Sequence, residues 1–212
     1  MSRELINDFL LVSRYGEPPA EATVIQALSA AGLGTAAYQS AAAAAGAGPP
    51  RVGTFRLSAA GGATLRITVT RHDGPALAGM GEGAFSQLTR RLGAEDAQTL
   101  RVGTLAFDLR LKASEEQIAE ALRWAMSALR ALVSLTGGAV VDPAAQTAWG
   151  TQQLGAMLVG PVTAQLVIHD EAWGADRRWL HTHGLQKFGR PELDLAATPV
   201  ALRAEAEAFL LE

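Results

Sequence analysis

Cysteine is missing from the whole 212-residue chain. That removes disulfides, thiolate zinc sites, iron–sulfur clusters and thiol nucleophiles together. A concentration of one charge is missing too: 18 Lys and Arg stand against 21 Asp and Glu. The basic runs stop at the pairs Arg90-Arg91 and Arg177-Arg178, so a nucleic-acid partner or an acidic membrane face has no electrostatic basis. Long apolar runs are also lacking. Residues 22–50 and 143–169 carry no Asp, Glu, Lys or Arg, but Gly, Gln, Thr and Pro interrupt both, and neither reads as a membrane span. Met1 to Asp8 holds acids where a secretion signal is apolar. A soluble, cytoplasmic protein with no membrane partner is expected.

Familiar catalytic motifs are absent as well. No Gly-x-Ser-x-Gly elbow occurs. The glycine-rich stretch Gly79-Met-Gly-Glu-Gly83 is followed by no Gly-Lys-Ser/Thr, so it reads as a loop and not a phosphate cradle. No cofactor is expected.

What is present suits a globular fold: 49% hydrophobic and 18% charged residues. Residues 9–12 form a short apolar run ended by Tyr15-Gly16 and Pro18-Pro19, the punctuation of a strand. Residues 21–31 read as a helix stopped by Gly32. Residues 64–70 and 105–112 alternate apolar and polar side chains, and Gly61-Gly62 suggests a hairpin joining 51–57 to 64–70. Half-solvated strands of this kind belong to antiparallel or mixed sheets. A long helix follows, with Ser114 and Gln117 as a capping box, Ile118, Leu122, Ala125, Leu129 and Leu132 as one stripe, and Gly137-Gly138 as the stop. Trp124 lies off that stripe.

The order strand, His-Asp, helix, strand, helix recurs twice, starting at 64–70 with His72-Asp73 and at 163–168 with His169-Asp170. In the second run the helix is placed at 176–188, the strand at 192–195 and the last helix at 199–211. The expected fold is therefore α+β: an antiparallel or mixed sheet with helices on one face, and two ferredoxin-like halves as the arrangement the echo suggests. The chain reads as a single domain over 1–212, divisible at 142/143, with 41–50 as an Ala/Gly/Pro linker.

Candidate chemistry concentrates in one segment, Arg178 to Leu195. His181-Thr-His183 has a spacing at which two strand residues share a face and both reach one ion. On a helix they diverge by roughly 200° and cannot. Asp176 as a cap and Gly189 with Pro191 as a stop favour the helix, so no metal is expected. His169-Asp170-Glu171 reads as a polar turn first and an acid/base cluster second. Glu192, just after Pro191, faces Thr182 and His183 in this reading, with a bond that fixes the turn as the plainer role. The candidate catalytic set is His169, His183 and Glu192.

The same segment resembles a pattern, Thr-x-Gly-Leu-x-x-Phe-Gly-x-Pro-Glu-Leu, near the C-terminus of a family of uncharacterised bacterial proteins. Here it falls on Thr182, Gly184, Leu185, Phe188, Gly189, Pro191, Glu192 and Leu193. Residues 9–14 and 136–143 look similar to other parts of that family. The resemblance implies helices on a sheet and supplies no activity. The favoured function is a non-catalytic binding or protein-interaction module, partnered by another protein or by itself, with an exposed aromatic patch at Trp149 or Trp173. The alternative is a small hydrolase or ligand-binding enzyme using the His/Glu cluster.

Overall fold

Alternation along the chain builds the largest layer. In the computed structural model, which describes residues 2–40 and 51–211, ten strands and six α-helices follow one another. The linker expected over 41–50 lies outside the described residues. The first part of the chain holds β1 (Glu4–Val12), α1 (Glu21–Ala30), β2 (Ala37–Ser40), β3 (Arg51–Ser58) and β4 (Thr64–Arg71). Next come α2 (Glu82–Thr89), α3 (Ala94–Val102), β5 (Leu105–Ser114) and α4 (Ile118–Thr136). Then follow β6 (Ala139–Asp142), β7 (Thr147–Trp149) and α5 (Thr151–Val159). The last part holds β8 (Val167–Ala172), β9 (Arg177–His183), β10 (Asp194–Pro199) and α6 (Arg203–Leu211).

Seven strands form one antiparallel sheet in the order β2-β3-β4-β5-β1-β6-β7. Its inward rows pair Leu65 with Leu111, Ile67 with Leu109 and Val69 with Phe107, all buried. α4 lays its stripe of Ile118, Leu122, Ala125, Leu129 and Leu132 on this face, joined by Val24 and Leu28 of α1. Trp124 is half-buried at the edge of that core. The α+β class is as expected, with one addition: α2 and α3 cover part of the opposite face. There Phe85, Leu88 and Leu100 pack on Val12, Ala139, Val141 and Ala148. The alternation in β6 explains the split, since Val140 between them points into the main core.

Gly137 ends α4 in the left-handed conformation, at φ 61°. At Gly138 a Cβ would stand 2.1 Å from the Val12 carbonyl oxygen. Only glycine lets β6 leave the helix this close to β1.

A second, three-stranded antiparallel sheet has the order β10-β9-β8. α6 packs against β9 and β10, where Leu180 and Leu210 are buried. Several local expectations change here. Residues 177–183 are strand β9 and not part of a helix over 176–188; only a 3-10 turn, Leu185–Phe188, remains helical. The strand expected over 163–168 is a 3-10 turn, Val162–Gln165, followed by β8, so His169-Asp170 lies inside a strand and not in a turn. The strand placed at 192–195 starts at Asp194 and runs to Pro199. The strand–helix echo consequently does not recur at the C-terminal end.

Two smaller differences concern helix starts. Ser114 closes β5, its Oγ meets Gln117 Oε1 at 3.2 Å, and no side chain caps α4. Glu82 and Gly83, placed in a loop by the glycine pattern, form the first turn of α2. Among the described residues no helix is long and apolar enough to cross a membrane.

Candidate metal centre

β8 and β9 pair with His169 opposite His181 and Val167 opposite His183. Side chains two apart on a strand share a face, and so do direct cross-strand partners. All three imidazoles therefore stand on one face of the small sheet. One nitrogen from each lies within 4.8 Å of the others. The rings crowd: His169 and His183 have centroids 4.3 Å apart, His181 and His183 4.9 Å, and His169 and His181 5.4 Å.

This placement overturns the helical reading of His181 and His183, and with it the argument that they cannot serve one ion. Metal–nitrogen bonds of about 2.0–2.1 Å place tetrahedral ligands about 3.3 Å apart. The observed spacing is wider, and side-chain rotations closing it by roughly 1.4 Å at most complete a tetrahedral corner.

The surroundings of His169 and His183 favour the neutral ring, the form that binds a metal. His169 is only 5% exposed. Its burial, then the neighbouring His183 and His181, then Arg90 and Arg91, push its pKa down to about 4. Burial and His181 also lower His183, while Glu192 and Glu171 oppose the shift. His181 Nδ1 is buried without a hydrogen-bond partner among the described residues.

Two further side chains orient the cluster. Gln87 Nε2 of α2 stands 3.0 Å from His169 Nδ1 and donates to it as placed. A flip of this amide would bring its oxygen there to accept an Nδ1–H and leave the histidine Nε2 free, the usual support of a ligating histidine. Trp179, next on the same face, packs tilted against His181 with ring centroids 4.5 Å apart and meets Trp173 edge-on at 6.2 Å. Trp173 is 51% exposed, whereas Trp149 is buried at 4% and offers no surface patch.

Of the three sequence candidates, His169 and His183 come together and Glu192 has a different duty. Its carboxylate accepts the Thr182 hydroxyl at 2.9 Å and the amides of Gly184, Leu185 and Gln186 at 2.9, 3.3 and 3.3 Å. Four donors close the turn between β9 and the 3-10 segment, and Leu193 N returns a bond to Thr182 Oγ1 at 2.8 Å. Gly184 and Gly189 have φ of 110° and 72°, and Phe188 packs on the main core while Pro191 is exposed. Thr182, Gly184, Gly189 and Glu192 of the motif thus build a turn.

Sequence reasoning left His181 out of the candidate set and did not single out Gln87. The signal for His181 was the His-x-His alternation itself. Gln87 is reached only through the fold, 82 residues before its partner. Comparison of the chain with known protein families, curated proteins and solved structures gave no match.

Proposed function

We propose that the protein is a non-catalytic binding module whose ligand is a transition-metal dication, zinc foremost, held by His169, His181 and His183. The observation that carries this reading is the convergence of three imidazoles on one sheet face. Nitrogen ligands suit zinc, copper, nickel and cobalt, and availability favours zinc among them. Three protein ligands leave a fourth position open. A side chain of another protein, or of a second copy of this chain, fills it in the interaction reading. The setting is the bacterial cytoplasm, and membership of the uncharacterised bacterial family belongs to the same proposal.

One observation favours a second reading, a small metal-dependent hydrolase. Glu171 sits opposite Trp179 on the histidine face, is exposed, and acts electrostatically on His183. A carboxylate beside an open metal position is placed to take a proton from bound water. Equilibrium dialysis of chelator-treated protein against Zn²⁺ tests the binding module. One ion per chain, lost in His181→Ala, supports it; no retained ion removes it. Ester hydrolysis by the zinc-loaded protein that falls in Glu171→Gln, with zinc binding intact, selects the second reading.

A further inference from the structure

We propose that a cavity on the other side of the small sheet is a binding site for a small oxyanion, phosphoryl or carboxylate in kind. The cavity, about 410 Å³, lies where the C-terminal end of α2 meets the α6-covered face of β8–β9. Odd and even residues of β8 divide the work. His169 points to the metal face, while Ile168 and Asp170 line this cavity.

Four guanidinium groups border the cavity: Arg90, Arg91, Arg178 and Arg203. Among the described residues two carboxylates face them, Asp170 and Glu207, an excess of two positive charges. The carboxylates are engaged. Arg178 Nε donates to Asp170 Oδ1 at 2.5 Å, and Arg203 Nε lies 3.0 Å from Asp170 Oδ2 and 2.9 Å from Glu207 Oε1. Asp170 is nearly buried, its side chain 12% exposed, so these pairs form a fixed wall. Arg90 and Arg91 make no ion pair among the described residues, and both are exposed.

Fixed arginines on one side and free ones on the other match the forked recognition of oxyanions. Leu166, Ile168 and the partly exposed Leu211 form an apolar flank of the cavity. The volume admits a phosphate with an organic group attached, at the lower end of small-ligand pockets. The site does not depend on the metal reading. It uses none of the three histidines as a lining residue, although Arg90 and Arg91 act electrostatically on His169.

The test uses chelator-treated full-length protein and isothermal titration with inorganic phosphate, pyrophosphate and succinate at constant ionic strength. Saturable 1:1 binding of at least one anion is expected, with Kd of about 1 mM or below. The variant Arg90→Gln/Arg91→Gln is expected to weaken it about tenfold. Arg56→Gln/Arg66→Gln removes the same charge from exposed positions on β3 and β4 and is expected to leave it unchanged. Preference for the phosphates identifies a phosphoryl ligand, and preference for succinate a carboxylate ligand; both support the site. Absence of saturation with all three anions, or equal weakening in both double variants, overturns it. Because no metal is present, failure here leaves the zinc titration untouched, and failure of the zinc titration leaves this result standing.

Discussion

Lys187 Nζ lies 2.6 Å from Asp142 Oδ2, and the two side chains are 1% and 0% exposed. The pair ties the turn after β9 to the end of β6, so it joins the small sheet to the large one. Nζ also donates to the Gln165 carbonyl at 2.7 Å and sits 5.2 Å from the Trp149 ring centre. Asp142 Oδ1 accepts the amides of Ala144 and Ala145. Burial lowers the Lys187 pKa despite the attraction of Asp142. Breaking such a pair leaves an uncompensated buried charge.

Lys187→Met and Asp142→Ala are each expected to lose about 3–5 kcal/mol of stability, read as a shift in the urea midpoint. The double change Lys187→Met/Asp142→Ala is expected to lose less than the sum, since neither charge remains. Additive losses would show that the pair does not act as a unit.

Glu192 supplies the second prediction. Glu192→Ala strips four donors of their acceptor and is expected to destabilise the protein by about 2–4 kcal/mol. At a temperature where the variant is folded, its zinc affinity is expected to match the parent within about threefold, because turn residues lie outside the ligand set. Loss of zinc binding in a folded Glu192→Ala would give the carboxylate a direct part in the site.

His169 makes stability pH-dependent in the metal-free protein. Its folded pKa is lowered to about 4 from 6.5, so the unfolded chain takes up this proton first as pH falls. The contribution is complete above about pH 6.5 and disappears on descent towards about pH 4. On the order of 2 kcal/mol is lost across that window. Urea midpoints at about pH 7 and about pH 4.5 are expected to differ more in the parent than in His169→Gln. Equal differences would mean that His169 titrates normally.

Gln87 is a positioning residue in this account. Gln87→Ala is expected to weaken zinc binding about tenfold, and Gln87→Glu to restore it, since a carboxylate oxygen, like the oxygen of the flipped amide, accepts the Nδ1–H of a ligating histidine. Unchanged affinity in Gln87→Ala would remove that role.

The large sheet was legible because its strands have one wet face. Leu65, Ile67 and Val69, and Leu105, Phe107, Leu109 and Leu111, alternate with polar residues, and α4 has a plain apolar stripe. β9 was not legible for the converse reason. Its covered side holds Leu180 beside Thr182, and its other side holds Trp179, His181 and His183, so no apolar period of two exists. Asp176 and Gly189-Arg-Pro191 then imitated helix ends. The capping box failed because Ser114 still belongs to β5. Two of the three ligands, His183 and His169, were visible as residue types, while their meeting depended on the β8–β9 register, which short polar strands do not specify in sequence.

The most direct test is Co²⁺ titration of the metal-free protein followed by visible spectroscopy, with displacement by Zn²⁺. The account predicts one Co²⁺ per chain, intense bands of a four-coordinate site, and a zinc Kd of about 1 μM or tighter, an interaction of about −8 kcal/mol. It also predicts that His169→Ala, His181→Ala and His183→Ala each abolish the bands while remaining folded. No bands in the parent, or bands that survive all three substitutions, would contradict it.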